Sequence, residues 1–273
     1  YVRNMSITNQ EGHGFSQATG AHTMKVEGLL SYDNSQAGIG YPIEVSGRHS
    51  NEVCQSYLAN GLAGVGMQDA TATDAWIHHN EIIGASYGAG VWLYCHNYPD
   101  YWQSMPSWVT FGGKDFLIED NLIYGMVSSI PAVLASYEVK NSTIRRNYIY
   151  DNQIGIRING SNVNNITINN NVLYNNITDI SITAGSDIKM YNNTGTGAVS
   201  ITPVTSTYIN NIYGSISGAG STGDNVSNNK AISSLNTVTY FVDFNNDNFR
   251  LKSTATDLID QGTLLEPFSP DID

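Results

Sequence analysis

Six apolar residues along the chain are each followed, three places later, by an asparagine. The pairs are Ile77 and Asn80, Ile118 and Asn121, Ile144 and Asn147, Ile168 and Asn171, Met190 and Asn193, and Tyr208 and Asn211. The series extends towards the N-terminus, without its asparagine, through Val53, Val26 and Val2. Successive members lie 18 to 27 residues apart, except for one interval of 41 residues. A repeat of this length predicts a solenoid.

Each copy of the repeat contains three short runs of β-type residues. In the copy that begins at Ile144, these runs are TIRRN, YIY and IRIN, and turns rich in Asn and Gly separate them. Three strands per copy predict a parallel β-helix, in which each copy forms one coil and each strand pairs with its equivalents about 4.8 Å away. The asparagine at the turn tolerates a left-handed backbone, and its amide can hydrogen-bond along the solenoid axis.

Alternation within the third run of each copy supports this fold. One residue of every two is aliphatic, which predicts that these residues stack inward and that their neighbours face outward. The predicted inward pairs are Val91 and Leu93, Val133 and Ala135, Ile156 and Ile158, Ile180 and Ile182, and Val199 and Ile201. The expected fold class is therefore all-β, a single solenoid of about nine coils of roughly 24 residues.

Charge and composition exclude several kinds of partner. Charged residues make up 13% of the chain, and the net charge is -12 without a cluster of Lys or Arg. A nucleic-acid partner is therefore not expected. No apolar stretch of about 18 residues is present, so membrane insertion is not expected. Cys54 and Cys95 fall at different points of the repeat, and we predict that they do not form a disulfide.

The stacked runs and their asparagines resemble the right-handed parallel β-helix proteins typified by pectate lyases. The resemblance covers residues 1 to about 235, and the segment VDFNNDNFRLKSTATDLIDQG looks like the closing segment of secreted β-helix polysaccharide enzymes. It implies a β-helix over 1–235, an extended tail over 236–273 that packs on the solenoid, and an extracellular or cell-surface location. No helix covers the first coil in the sequence, so we expect a neighbouring domain or subunit to cap it.

In proteins of this resemblance, ligands lie on the outward face of one sheet and the loops after it, which selects the third strand of each coil. Its predicted outward row is Gly66 and Gln68, Trp92 and Tyr94, Ser136 and Glu138, and Arg157 and Asn159. The long interval places a loop at 95–115 beside this row, with Tyr98, Asp100, Tyr101, Trp102 and Trp108. Exposed aromatic rings flanked by polar groups suit a polysaccharide, although Trp92 and Tyr94 could instead pack under the loop as a small core.

The same resemblance implies a polysaccharide lyase that acts on an acidic, uronate-containing polymer. Such an enzyme needs a base and a group that neutralises the uronate carboxylate. The candidates are Lys140 or His96 as base, Arg157 as carboxylate clamp, and Asp69 with Glu138 as ligands of Ca²⁺. The residues predicted to bind the substrate are Trp92, Tyr94, Gln68, Tyr98, Tyr101, Trp102 and Asn159.

Two other functions remain open at this point. A glycoside hydrolase would use two facing carboxylates, which Asp69, Asp100 and Glu138 could provide. A non-catalytic carbohydrate-binding or structural module of a surface protein, fibre or adhesin would account for the uncapped first coil. It would also account for the coils after residue 160, whose polar residues are mostly Asn, Thr and Ser.

A second group of polar residues falls on the first strand of each coil. Its equivalent positions are Cys54 and Gln55, His78 and His79, Glu119 and Asp120, Arg145 and Arg146, and Asn169 and Asn170. Stacked coils would place the acids between the histidines and the arginines, which most simply forms an ion-pair row on a solvated face. Because the two histidines are adjacent, a strand would point them to opposite faces.

Overall fold

Two long parallel sheets wind around a common core. The structure is a computed structural model, and it describes residues 2–4, 6–8, 15–16, 25–32, 39–40, 44–50, 63–67, 75–84, 89–95, 113–126, 129–202, 205–218, 225–232, 237–246 and 248–262. The first sheet contains β1 (Val2–Arg3), β2 (Ser6–Thr8), β4 (Lys25–Tyr32), β6 (Glu44–Ser50), β8 (Trp76–Ile83), β10 (Leu117–Glu119), β11 (Leu122–Tyr124), β13 (Lys140–Arg145), β14 (Tyr148–Tyr150), β16 (Asn164–Asn169), β17 (Val172–Tyr174), β19 (Ser186–Tyr191), β20 (Thr194–Gly195), β22 (Ser206–Ile209), β23 (Ile212–Tyr213), β25 (Asn225–Ser227) and β26 (Lys230–Ala231). The second sheet contains β3 (Phe15–Ser16), β5 (Ile39–Gly40), β7 (Ala63–Met67), β9 (Ala89–Cys95), β12 (Pro131–Tyr137), β15 (Ile154–Ile158), β18 (Thr178–Ile182), β21 (Ala198–Ile201) and β24 (Ser215–Ser217).

The strand register confirms the predicted repeat. Ile77, Ile118, Ile144, Ile168, Met190 and Tyr208 are successive Cα partners in parallel strands of the first sheet. The prediction of Val53 as the third member is wrong, because Val45 in β6 pairs with both Val26 and Ile77. Val226 in β25 adds a further member after Tyr208. The chain is a right-handed parallel β-helix, as its residues predict.

The aliphatic residues of the third strands fill the interior. All five inward pairs predicted from alternation are buried, and they join one cluster with the apolar residues of the first sheet. Their neighbours in the same strands face the other side of the sheet, as the two-residue period of a strand requires. This packing of stacked aliphatic rows is the main apolar contribution to the fold.

The asparagines form a continuous ladder along one corner of the coils. The Asn121 amide donates to Asn147 Oδ1 at 2.9 Å, and the Asn147 amide donates to Asn171 Oδ1 at 3.0 Å. The ladder begins at Asn80 and extends past Asn211 to Asn229, one member more than the sequence predicts. The left-handed residue of each corner is the one before the ladder asparagine, such as Arg146 with φ of 53°, and not the asparagine itself.

A second, shorter ladder lies at the next corner, and the sequence analysis missed it. Asn152 Nδ2 donates to Asn176 Oδ1 at 3.0 Å, and Asn176 Nδ2 donates to Asp179 Oδ1 at 3.0 Å. Asp179 is fully buried, and its other oxygen accepts the backbone N–H of Gly197 at 2.6 Å. Burial raises the pKa of Asp179 to about 7, although these hydrogen bonds oppose the shift.

A short hairpin follows the last coil. It comprises α1 (Thr237–Tyr240), β27 (Phe241–Asp243), a 3₁₀ turn (Phe244–Asn246) and β28 (Asn248–Leu251), with β27 and β28 antiparallel. Phe249 lies 4.7 Å, between ring centroids, from Tyr174, which ends the stack of Tyr124, Tyr150 and Tyr174 on the first sheet. The division of the chain near residue 235 stays a prediction. Among the described residues, no helix has the length and apolar character needed to cross a membrane.

Candidate functional site

The predicted groove lies on the outward face of the second sheet. The register places Gly66, Trp92, Leu134 and Arg157 in one row across β7, β9, β12 and β15. The predicted alignment of Ser136 with Trp92 is therefore wrong by two residues, because Ser136 pairs with Tyr94. Glu138 follows the end of β12 and does not belong to the row.

Trp92 packs over the next coil and does not stand free of the sheet. It is half-buried, and its indole N–H donates to Ser136 Oγ at 2.9 Å. Leu134 is 7% exposed and Ser136 is 3% exposed, although both alternate with the inward residues of β12. This part of the outward face is closed, which favours a packing role for Trp92 over an open stacking platform.

Arg157 continues the row where the face opens. Its side chain is half-buried between Leu134 and Ser181, its partners in register on the neighbouring strands. Burial lowers the pKa of its guanidinium, which stays charged at neutral pH. No carboxylate within the described part of the chain pairs with it. Asn159, two residues further along, is exposed, and its backbone N–H donates to Ala135 O at 3.1 Å.

Glu138 and Lys140 lie at the passage from the second sheet to the first. Glu138 Oε1 accepts a hydrogen bond from Asn162 Nδ2 at 3.3 Å. Lys140 is exposed and begins β13, where its backbone partners are Lys114 and Asn164. No hydrogen bond or ion pair joins Glu138, Lys140 and Arg157 in the residues that the structure describes.

Calcium and several of the predicted site residues stay predictions. The described residues contain no group of three or more His, Cys, Asp or Glu arranged to hold a metal ion. Glu138 is the one predicted calcium ligand that they include, and a single carboxylate does not make a Ca²⁺ site. The other predicted residues lie outside the described residues: Gln68, Asp69, His96, Tyr98, Asp100, Tyr101, Trp102 and Trp108, together with Cys54. Of Tyr94, only the backbone in β9 is described.

The ion pairs predicted at the ladder corner are present, but the prediction of a solvated face is wrong at Glu119, which is buried. Glu119 is buried and accepts Arg145 Nε at 2.7 Å, Arg146 Nη2 at 2.6 Å and Trp76 Nε1 at 2.8 Å. Asp120 accepts two hydrogen bonds from Arg146, at 2.9 and 2.8 Å. The hydrogen bond from Arg146 lowers the pKa of Asp120, and the same contact raises the pKa of Arg146.

The two histidines meet, contrary to the expectation from strand alternation. His79 has φ of 50°, which interrupts the extended backbone and turns its side chain towards that of His78. Their Nδ1 atoms are 2.8 Å apart, so one ring must carry its proton on Nδ1 and the other must accept it. The His78 ring also stacks on Trp76, with centroids 3.8 Å apart.

A cleft of about 450 Å³ opens beside this corner. It is lined by His79, Asn80, Glu81, Asp120, Asn121, Leu122, Arg146 and Tyr148. His79, Asp120 and Arg146 belong to the polar group predicted from the sequence, whereas Glu81, Leu122 and Tyr148 were not predicted. A signal for them was present, because each lies one residue after a ladder asparagine, at the same point of successive coils.

Comparison with known proteins supports the fold and leaves the chemistry open. A family model described as the right handed beta helix region matches residues 107–194. No curated protein matches the chain, and no solved structure does. Right-handed β-helix domains occur in polysaccharide lyases, in hydrolases and in binding or structural proteins, so the fold alone specifies no reaction. The match and the two parallel sheets together support a right-handed β-helix domain.

Proposed function

We propose that this β-helix is an extracellular, carbohydrate-active protein that binds an acidic polysaccharide and cleaves it by β-elimination. The observation that carries the proposal is Arg157, a charged guanidinium on the outward face of a parallel sheet that no described carboxylate neutralises. A planar guanidinium matches the geometry of a uronate carboxylate and can bind it through two hydrogen bonds.

The proposed reaction needs a group that binds the uronate carboxylate, a base that removes a proton, and a proton source for the leaving oxygen, which solvent water can provide. Arg157 binds the uronate carboxylate and stabilises the negative charge that develops when the neighbouring proton leaves. A base takes the C5 proton, the bond from C4 to the glycosidic oxygen breaks, a C4–C5 double bond forms, and the leaving oxygen takes up a proton. Lys140, exposed at the start of β13, and His96 are the candidate bases.

Product formation on defined polymers tests the lyase proposal. We expect the wild-type protein to generate unsaturated uronate, followed by its ultraviolet absorbance, on at least one of polygalacturonate, alginate and hyaluronan. Arg157→Ala should lower kcat/KM by at least about 100-fold, in line with the loss of one charge-stabilising group. Arg157→Lys should retain part of the activity. Arg250→Ala, at an exposed arginine of the hairpin, is the matched control. A folded protein that yields no product on any polymer, with or without Ca²⁺, contradicts the lyase.

A non-catalytic binding module is the second candidate. It is favoured by the closed face at Leu134 and Ser136, and by the lack of a titratable base in the Arg157 row across β12, β15 and β18. In that case the same polymers should retard the wild-type protein in affinity electrophoresis without being cleaved. Arg157→Ala should then abolish the retardation.

A further inference from the structure

In the three coils that line the cleft, the residue before the ladder asparagine is not itself an asparagine. The residue before each ladder asparagine is left-handed, with φ between 50° and 59° from His79 to Asn228. Four later coils use asparagine there, at Asn170, Asn192, Asn210 and Asn228. Asparagine, aspartate and histidine are the residues other than glycine that most often adopt this conformation, whereas arginine adopts it at a cost. That cost is present at Arg146, which lies beside Asp120 in the adjacent coil, and strained residues of this kind cluster at functional sites.

Stacking turns these three corner residues into one wall of the cleft. Adjacent coils set His79, Asp120 and Arg146 about one strand spacing, ~4.8 Å, apart along the axis. The floor beside this wall is the outward row of the following strands, in which Leu122 pairs with both Glu81 and Tyr148. The cleft has a volume of about 450 Å³, which is within the size range of small-ligand sites.

The charges around the cleft select against an anionic ligand. Arg146 already binds the carboxylates of Asp120 and Glu119. Glu81 adds a further carboxylate, which accepts the Tyr124 hydroxyl at 2.8 Å. Among the described residues that line the cleft, Arg146 is the only lysine or arginine, and the carboxylates of Asp120 and Glu119 already pair with it, so the cleft does not favour a uronate. It offers carboxylate oxygens and guanidinium N–H groups at fixed positions, which suit the paired hydroxyls of a neutral sugar.

The floor of the cleft supplies the apolar surface that a sugar ring requires. Leu122 is half-buried, and Tyr148 is 36% exposed on the outward face of β14. An exposed aromatic ring beside hydrogen-bonding groups stacks on the apolar face of a pyranose. The wall of corner residues thus offers hydrogen bonds, and the floor of Leu122 and Tyr148 offers an apolar surface. These are the two kinds of contact that bind saccharides.

We propose that the corner cleft is a binding site for a neutral pyranose unit of a saccharide. Tyr148 and Leu122 contact the ring face, and Asp120, Arg146 and Glu81 hydrogen-bond the hydroxyls. The site lies on the first sheet and does not depend on Arg157, so the test of this site is independent of the test of the proposed lyase.

Calorimetric titration with defined hexasaccharides tests this site. The probes are cellohexaose, xylohexaose and mannohexaose as neutral ligands, and hexagalacturonate as the anionic comparison. At least one neutral probe should bind, and Tyr148→Ala should weaken its Kd at least tenfold. Tyr148→Phe should retain the affinity, because the ring and not the hydroxyl makes the contact. Asp120→Asn keeps a residue that tolerates positive φ and should weaken binding through loss of the charged acceptor.

Two controls separate this site from others. Tyr240→Ala removes a tyrosine that does not line the cleft, and Arg157→Ala removes the centre of the proposed lyase groove; both should leave the affinity for the neutral probe unchanged. The proposal is overturned if no neutral probe binds, if Tyr148→Ala weakens binding no more than Tyr240→Ala, or if hexagalacturonate binds more tightly in a Tyr148-dependent manner. Urea unfolding of each variant verifies that the coils remain folded.

Discussion

Asn147 lies inside the asparagine ladder, with ladder asparagines on both sides, and its replacement tests whether the amide orientation stabilises the coils. The side chain is fully buried. Its Nδ2 donates to Ile118 O at 3.0 Å, Arg145 O at 2.9 Å and Asn171 Oδ1 at 3.0 Å. Its Oδ1 accepts the backbone N–H and the amide of Asn121, at 3.1 and 2.9 Å. Every hydrogen-bonding atom of the side chain therefore has a partner.

Asn147→Ala should cost about 3–5 kcal/mol of unfolding free energy, because it leaves two or more buried polar groups without partners at about 1–3 kcal/mol each. Asn147→Asp keeps the acceptor but directs a second oxygen at three oxygens about 3 Å away. The folded state should therefore raise the pKa of the new carboxyl above its unfolded value. Relative to the wild type, the Asn147→Asp variant should be most stable below the unfolded pKa of the new carboxyl, near 4. Its free energy of unfolding should fall as pH rises towards the folded pKa, by about 1.4 kcal/mol for each unit by which the two pKa values differ.

Urea unfolding at pH 4, 6 and 8, followed by circular dichroism, measures both effects. Hydrogen exchange should show the loss concentrated in the coils of Asn121, Asn147 and Asn171, since each coil contacts only its neighbours. Asn141→Asp is the control: Asn141 is exposed, its Oδ1 accepts Asn165 Nδ2 at 2.9 Å, and Asp keeps that acceptor. It should change stability by less than about 0.5 kcal/mol at every pH. A loss in Asn147→Asp that does not vary with pH refutes the assigned direction of the amide.

Three further predictions concern buried and strained positions. The raised pKa of Asp179, about 7 against 3.8, predicts that the contribution of this residue to stability is fully present below pH 4 and falls by about 4 kcal/mol as pH rises to 7; Asp179→Asn should remove this part of the pH dependence in urea titrations, and an unchanged slope contradicts it. His79→Ala should be less stable than His79→Asn by about 1 kcal/mol, because both lose the imidazole and only Asn tolerates positive φ; equal midpoints contradict it. Gly195→Ala should cost about 1–3 kcal/mol in thermal unfolding, because the methyl would lie 2.8 Å from Tyr213 Cε1, and a wild-type midpoint contradicts it.

The fold was predictable wherever an asparagine marks the corner of a coil. From Ile77 to Tyr208 the predicted partners are the observed ones, because a buried amide ladder tolerates one residue type at one position of each coil. The prediction failed at Val53, where that marker is absent and the lengths of the turns vary. The second ladder was missed because, in the coils that the structure describes, only Asn152 and Asn176 place asparagine at that corner, too few for a visible repeat.

The candidate sites were less predictable, because turn length decides register and packing decides exposure. Leu134, and not Ser136, pairs with Trp92, and the outward face at Leu134 proved to be buried. The expectation that His78 and His79 point apart failed because one left-handed residue cancels strand alternation. Glu81, Leu122 and Tyr148 became neighbours only through the pairing of three coils.

The amino-acid sequence by itself determined that the chain winds into stacked coils, since only stacking gives each buried asparagine a partner above and below. It also determined which residues face inward, because strand alternation leaves one choice that buries the aliphatic residues. Tertiary structure alone decided which polar residues share a surface, which outward faces stay open, and where a cleft forms. Those features depend on contacts between residues more than 20 positions apart, and turn geometry sets such contacts coil by coil.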